Sequence, residues 1–240
     1  MSERCLIIIP TYDERSNLPP LTEAIFRQGP FDLLIVDDNS PDGTGRVADE
    51  LAAAQPGRLC VLHRRAKLGL GSAYLEGFRW GLAQGYELLF QMDADFSHDP
   101  AHLPQFLAGI HAGADVVIGS RYVRGGGTRN WSLLRRVLSR GGSFYARTIL
   151  RLPLHDLTGG FRCFRRRVLE TIDLGAIHSN GYGFQVEVAY RVWQRGFRIV
   201  ETPIMFVDRR VGQSKMSRRI FYEAVIMVWR LRLGRQGRKA

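Results

Sequence analysis

The sequence predicts an α/β fold: a mostly parallel sheet with helices on both faces. Two observations lead there. Short aliphatic runs recur through the first 120 residues, separated by segments with helical spacing. These runs are also continuously apolar rather than alternating, the mark of strands buried on both faces. They are Cys5–Ile9, Leu33–Val36, Leu59–Leu62, Leu88–Met92 and Val116–Ile118. The helical segments between them are Leu18–Phe26, Gly45–Ala54, Leu70–Ala83 and Leu103–Ile110. Asp99-Pro100 predicts the start of the last of these, a capping side chain followed by a proline in the first turn. In such sheets ligands bind beyond the carboxyl ends of the strands, and three of those ends carry unusual polar residues.

The second half is less regular. Trp131–Leu150 reads as an amphipathic helix, broken or bent at Gly141-Gly142, with Arg136, Arg140, Arg147 and Arg151 on one face. Gly159-Gly160 reads as a turn, Phe161–Phe164 as a strand, Tyr182–Trp193 as a helix and Arg198–Thr202 as extended chain. Ser217–Arg232 reads as a final amphipathic helix with Ile220, Ala224, Val228 and Leu231 along its stripe. The expected organisation is one α/β domain over residues 1–216, followed by a basic helix and tail over 217–240.

Composition narrows the class. With 240 residues, 45% hydrophobic and 24% charged, the chain is a folded domain rather than a disordered tail. No apolar run approaches the ~18 residues of a membrane span, and the N-terminus lacks the apolar length of a signal peptide. Cys5, Cys60 and Cys163 are far apart and odd in number, which suits small buried residues in a reducing compartment. The 34 Lys+Arg against 23 Asp+Glu give a net charge of +11. Arg121–Arg151 carries +8 with no acidic residue, and Val207–Ala240 carries another +8, which leaves −5 on the rest. A mildly acidic body therefore bears two basic segments, and positive charge serves whatever binds after residue 120.

The chemistry sits at the strand ends. The first strand runs into Pro10-Thr11-Tyr12-Asp13-Glu14. Proline is expected to stop the ladder there; the tyrosine and carboxylate suit a base and a ribose, or form an ordinary polar loop. The second ends in Asp37-Asp38-Asn39-Ser40-Pro41-Asp42-Gly43. Adjacent carboxylates repel unless a donor or cation satisfies them, although Pro, Asp and Gly also make a solvated turn. The fourth ends in Asp93-Ala94-Asp95. Alternate carboxylates past a buried strand suit magnesium or manganese, completed by substrate phosphates. Helix capping is the other use for them, but Asp99 is better placed for that. Lys67-Leu68-Gly69-Leu70-Gly71 opens the third helix and fits neither nucleotide-loop fingerprint; tight strand–helix packing and a helix N-terminus facing the rim are expected of it.

Together, Pro10 to Glu14, Val36 to Gly43, Lys67 to Gly71, Asp93-Ala94-Asp95 and Gly119-Ser120-Arg121-Tyr122 resemble glycosyltransferase family 2. Within it they are most similar to the dolichol-phosphate (polyprenol-phosphate) mannose synthase branch. Asp156 to Arg162, Val207-Asp208-Arg209, Gly212 and Ser214-Lys215 match as well, so the resemblance spans nearly the whole chain. It implies a GT-A type fold, GDP-mannose as donor and inverting transfer of mannose to a polyprenyl phosphate. It implies Pro10, Tyr12, Glu14, Val36 and Asp38 around the guanosine, and Asp93, Ala94 and Asp95 at the diphosphate and sugar. A Mg2+ or Mn2+ ion would rest on Asp95 with Asp93, while Arg121, Arg209 and Lys215 hold phosphates. Asp95, Arg121 and Asp93 are then the catalytic candidates. Some members carry a glutamine ligand where this chain has Ser97, which shifts weight to Asp93 or water.

A polyprenyl acceptor lies in a membrane. The two basic amphipathic segments are therefore expected at the cytoplasmic membrane surface, peripherally, with a membrane partner subunit as a further option; equally, their apolar stripes could cover the sheet. A related transferase using UDP-glucose or another nucleotide sugar is the alternative. A nucleic-acid-binding module is disfavoured, because no recognised motif appears and aromatic residues are not interleaved with the basic runs.

Overall fold

The computed structural model describes residues 3–179, 181–208 and 218–234. In chain order the strands and helices are β1 (Cys5–Thr11), α1 (Leu18–Phe26), β2 (Phe31–Asp37), α2 (Thr44–Ala54), β3 (Leu59–His63), α3 (Leu70–Ala83), β4 (Leu88–Gln91), α4 (Leu103–His111), β5 (Val116–Ser120), β6 (Gly127–Arg129), α5 (Leu133–Leu150), β7 (Arg162–Arg165), α6 (Arg166–Thr171), α7 (Gly181–Gln194), β8 (Ile199–Pro203), β9 (Met205–Val207) and α8 (Arg218–Gly234). A seven-stranded sheet has the order β3-β2-β1-β4-β7-β5-β8. Its pairs are parallel except where β7 runs antiparallel between β4 and β5. β6 and β9 form a separate parallel pair.

The continuously apolar strands explain the two-faced core. Along β1, Leu6 and Ile8 join one apolar cluster with Ala73, Tyr74 and Phe78 of α3 and Phe184 of α7. The alternate residues Ile7 and Ile9 join a second cluster with Leu21 of α1 and Phe106 of α4. Each fully buried aliphatic side chain of this kind contributes ~1.5–3 kcal/mol. Burial on both faces fixes the register, since a one-residue slip would swap the two cores. The start expected at Asp99-Pro100 is present. Asp99 accepts from Ala101 N–H at 2.9 Å and opens a 3₁₀ turn, Pro100–His102, that leads into α4.

One expectation needs correcting. α5 runs unbroken through Gly141-Gly142 for 18 residues, capped by Ser132, whose hydroxyl accepts from Arg135 N–H at 3.3 Å. Two glycines weaken a helix but do not break it when no proline removes a bond of the ladder. The apolar stripe of α5 also divides. Its second half packs Ala146 and Leu150 into the core, whereas Leu133, Leu134, Val137 and Leu138 of the first half are exposed, Leu133 to 76%. α8 packs beside α5 and α7, with Val228 buried and Leu231 half-buried against the core; Ile226, Trp229 and Leu233 are exposed. Ile220 and Ala224, expected on the same stripe, lie outside the described side chains.

Two glycine substitutions separate packing from propensity. A Cβ on Gly77 of α3 would stand 2.5 Å from Ile8 Cγ2 of β1, a methyl with no room to move, whereas one on Gly141 would meet nothing within 4 Å. Gly77→Ala should therefore lose stability despite alanine's better helix propensity, because overpacking costs ~1–3 kcal/mol. Gly141→Ala should gain up to ~1 kcal/mol. Thermal melts read both, at ~2–4 °C per kcal/mol for a domain of this size.

Candidate functional site

β2, β1 and β4 are neighbours in the sheet and run the same way. Their carboxyl ends therefore bring Pro10–Glu14, Asp37–Asp42 and Asp93–Asp95 to one rim. β5 ends on the same rim beyond β7, followed by Arg121. Pro10 does not end β1, as the sequence suggested. It lies opposite Val36, and the ladder continues to Thr11, whose carbonyl accepts from Asp38 N–H at 3.0 Å. Proline lacks only its own N–H, and its fixed φ is compatible with an extended strand.

Each rim carboxylate has its own donors. Asp37 accepts from Thr11 Oγ1 at 3.0 Å, Ser40 N–H at 3.1 Å and Ser40 Oγ at 2.5 Å, so it closes the β2 turn from inside. Asp38 forms a buried ion pair with Arg64 at 2.5 Å and accepts from Gly69 N–H at 3.3 Å. Arg64 also donates to Ser72 Oγ at 2.7 Å, so one guanidinium joins the end of β2 to the first turn of α3. Glu14 is steadied by Asn17 Nδ2 at 2.7 Å, and Lys67 lies 3.4 Å from the centre of the Tyr12 ring. The glycine loop packs against α7 rather than against a strand as expected: a Cβ on Gly71 would stand 2.9 Å from Ser179 O and 3.1 Å from the Phe184 ring.

At the end of β4, Asp93 Oδ1 accepts from Tyr74 Oη at 3.0 Å, and Asp93 N–H donates to His98 Nδ1 at 3.0 Å. Burial lowers the His98 pKa and keeps the ring neutral; burial and the Asp93 charge hold the Tyr74 hydroxyl protonated. Asp95 is 4% exposed and accepts from Ser97 N–H at 3.0 Å. Between them Phe96 adopts φ 59°, a left-handed conformation that costs a side-chain-bearing residue ~1–2 kcal/mol. Ser97 Oγ is buried with no hydrogen-bond partner. These oxygens fit a hard divalent cation: two carboxylates and an unpartnered hydroxyl at one strand end, with the rest of the shell supplied by diphosphate and water. Among the described residues no three His, Cys, Asp or Glu side chains form a closed cage. Such a cation would need its substrate.

Arg121 is buried. Its Nε and Nη2 hold Asp156 at 2.6 Å each, its backbone N–H adds a third bond at 3.0 Å, and Nη2 reaches Thr158 Oγ1 at 2.7 Å. The rings of Tyr122, Trp131 and Phe206 enclose the guanidinium at 5.2, 5.3 and 5.4 Å. Burial pushes the Asp156 carboxyl up, but the charge and hydrogen bonds of Arg121 outweigh it and hold it below the usual carboxylate range. Arg162, fully buried, donates to the carbonyls of Leu157, Gly159 and Gln185 and so fixes the turn before β7; burial brings it down to about 10.

The rim thus gathers Pro10, Tyr12, Glu14, Val36, Asp38, Asp93, Ala94 and Asp95, with Arg121 beyond β7. Arg209 and Lys215 lie outside the described residues. Sequence reasoning missed Arg64, Tyr74 and His98. Arg64 follows an unremarkable strand, and Tyr74 reads as one more apolar position of α3. His98 alone carried a signal, three residues after Asp95.

Asp156→Asn leaves Arg121 buried beside a neutral partner and should cost ~3–5 kcal/mol at pH 7. Because the folded pKa of Asp156 is lowered, its contribution is present above the unfolded value of ~3.9 and lost as pH falls through the folded value. The stability gap between the two proteins, read by denaturant unfolding, should therefore narrow below about pH 3.9.

Comparison with known proteins agrees with this geometry. The model of the family described as glycosyl transferase family 2 matches residues 6–173. Polyprenol monophosphomannose synthase of Mycolicibacterium smegmatis is 50% identical over 234 residues, 96% of this chain and 88% of that protein. Undecaprenyl-phosphate mannosyltransferase of Micrococcus luteus is 52% identical over 229 residues, 95% of this chain and 93% of that protein. Glucosyl-3-phosphoglycerate synthase from Mycobacterium tuberculosis, crystallised with Mn2+, UDP and glucosyl-3-phosphoglycerate, superposes with a TM-score of 0.68 at 17% identity, over 97% of this chain and 81% of that one, which is a likeness of fold. The expected GT-A arrangement is therefore present, and the chain belongs to glycosyltransferase family 2.

Proposed function

We propose that this protein transfers mannose from GDP-mannose to a polyprenyl phosphate, with inversion at the sugar carbon. The observation that carries the reading is the end-to-end identity, near one half, with a polyprenol monophosphomannose synthase and an undecaprenyl-phosphate mannosyltransferase; GDP as the carrier and inversion rest on the family resemblance. The rim geometry supports it. Tyr12, Glu14, Val36 and Asp38 would take the guanosine, with Pro10 shaping the strand end. Asp93, Ala94 and Asp95 would face the diphosphate and sugar. A Mg2+ or Mn2+ ion held by Asp95 with Asp93 would supply charge neutralisation of the departing GDP; the neighbour of the same fold was crystallised with Mn2+ and UDP.

The nucleophile is a phosphate oxygen. A phosphate monoester has its second pKa near ~6 and is largely dianionic at neutral pH, so no general base is required. Arg121 is assigned to a phosphate on the resemblance; in the structure its Nε and Nη2 are engaged by Asp156, so a bidentate grip on the acceptor phosphate would require that buried ion pair to open. Arg209 and Lys215 are assigned to phosphates on the resemblance alone.

The acceptor's membrane has a matching surface. The exposed Leu133, Leu134, Val137, Leu138 and Phe144 of α5 sit among the arginines of the 121–151 stretch. Ile226, Trp229 and Leu233 of α8, a helix that packs on α5, are exposed as well. Among the described residues no helix is long and apolar enough to cross a membrane. This surface would instead lie in the headgroup region of the cytoplasmic face, with apolar side chains inserted and arginines on anionic lipid. A membrane partner subunit could use the same face.

Two experiments test these readings. Purified protein with radiolabelled GDP-mannose, polyprenyl phosphate and Mg2+ or Mn2+ should move label into the organic phase. Transfer from UDP-glucose instead would reassign the sugar, and no lipid product with either metal would refute the proposal. In flotation with anionic vesicles, Leu134→Glu/Val137→Glu should bind clearly less than the unmodified chain; equal binding would remove α5 from the membrane surface.

A further inference from the structure

Asp93 is gripped from two sides by groups that cannot move away. The Tyr74 hydroxyl donates to its carboxylate, and His98 accepts from its backbone N–H. Tyr74 is wholly buried on α3, with its ring stacked on Phe184 at 6.1 Å and 7° between planes, and on Phe78 at 6.4 Å. The Asp93 side chain, by contrast, is 27% exposed. A half-exposed aspartate samples several rotamers unless a fixed partner selects one. The same helix carries Ser72, which accepts from Arg64, and begins at Gly69, whose N–H donates to Asp38. One rigid element therefore ties the two acidic stations of the rim to each other.

We infer that Tyr74 is a positioning residue of this site: its hydroxyl ties Asp93 Oδ1 to the core, so that Asp93 presents one oxygen in one orientation to the cation and diphosphate. The inference rests on the reading that a divalent cation binds here with a nucleotide. Partners that orient metal-ligating carboxylates typically matter by ~10–100-fold in metal affinity or activity.

Tyr74→Phe removes one oxygen and keeps the ring that stacks on Phe184. The probe is Mn2+, titrated into the full chain with saturating GDP and followed by the electron paramagnetic resonance of free Mn2+. Tyr74→Phe should bind Mn2+ ~10–100-fold more weakly, and its turnover should recover as Mn2+ is raised, which a merely loosened core would not give. Phe184→Leu serves as the packing control, since it disturbs the stack but leaves the hydroxyl. Unchanged Mn2+ affinity in Tyr74→Phe would overturn the inference. So would an equal loss in Phe184→Leu, or a Tyr74→Phe chain that does not fold, because the hydroxyl would then be serving the core. The outcomes stay separable from the sugar assignment. Protein that takes up Mn2+ with GDP yet transfers no mannose refutes the proposed reaction while the Tyr74 comparison still stands. Protein that takes up no Mn2+ with GDP refutes the inference itself.

Discussion

Crowding of negative charge at one end of the sheet is the constraint around which the rest is arranged. Adjacent parallel strands deliver Asp37, Asp38, Asp93 and Asp95 to one rim, and Asp156 stands near it with Arg121. Several of these carboxylates are buried, and a buried carboxylate is costly unless donors or a cation meet it. The protein solves this in two ways. At the flanks, buried arginines pair with Asp38 and Asp156, Arg64 being shared with Glu76. In between, neutral donors hold the others: Thr11 and Ser40 on Asp37, Tyr74 on Asp93, and the Ser97 amide on Asp95. A neutral hydrogen bond orients a carboxylate without cancelling its charge, and that leaves the centre of the rim suited to a cation.

The net charge of the chain reads differently in this light. A positive total of +11 resembles that of a nucleic-acid-binding protein, but the excess falls on two segments while the remainder is acidic. Within the first segment, Arg121 is buried in service of Asp156, whereas Arg136 and Arg140 are exposed along α5. The exposed leucines among these outer arginines give α5 two jobs along its length. Ala146 and Leu150 of its second half close the core, while the apolar residues of its first half, and Phe144, face outward.

Much of this was legible in the sequence because it follows from periodicity. The continuously apolar runs located β1 to β5, and their polar ends located the rim. The motifs from Pro10 to Tyr122 located the family. What the sequence could not supply was long-range pairing. Nothing local in Arg64 shows that it crosses to Asp38, 26 residues earlier. Tyr74 matches the apolar stripe of α3, and only the fold reveals that its hydroxyl meets Asp93. The Gly141-Gly142 and Pro10 expectations went astray for the opposite reason. They applied local propensity where capping and neighbouring strands decide the outcome.

In the proposed reading the cation would sit between the two arginine-paired flanks, at Asp95 with Asp93. The most direct measurement is an anomalous-difference map from crystals grown with Mn2+ and GDP. A single manganese peak is expected within ~2.0–2.6 Å of an Asp95 carboxylate oxygen, with none at Asp38 or Asp156. Bound GDP with manganese at either flank, or with no manganese on Asp95, would contradict it.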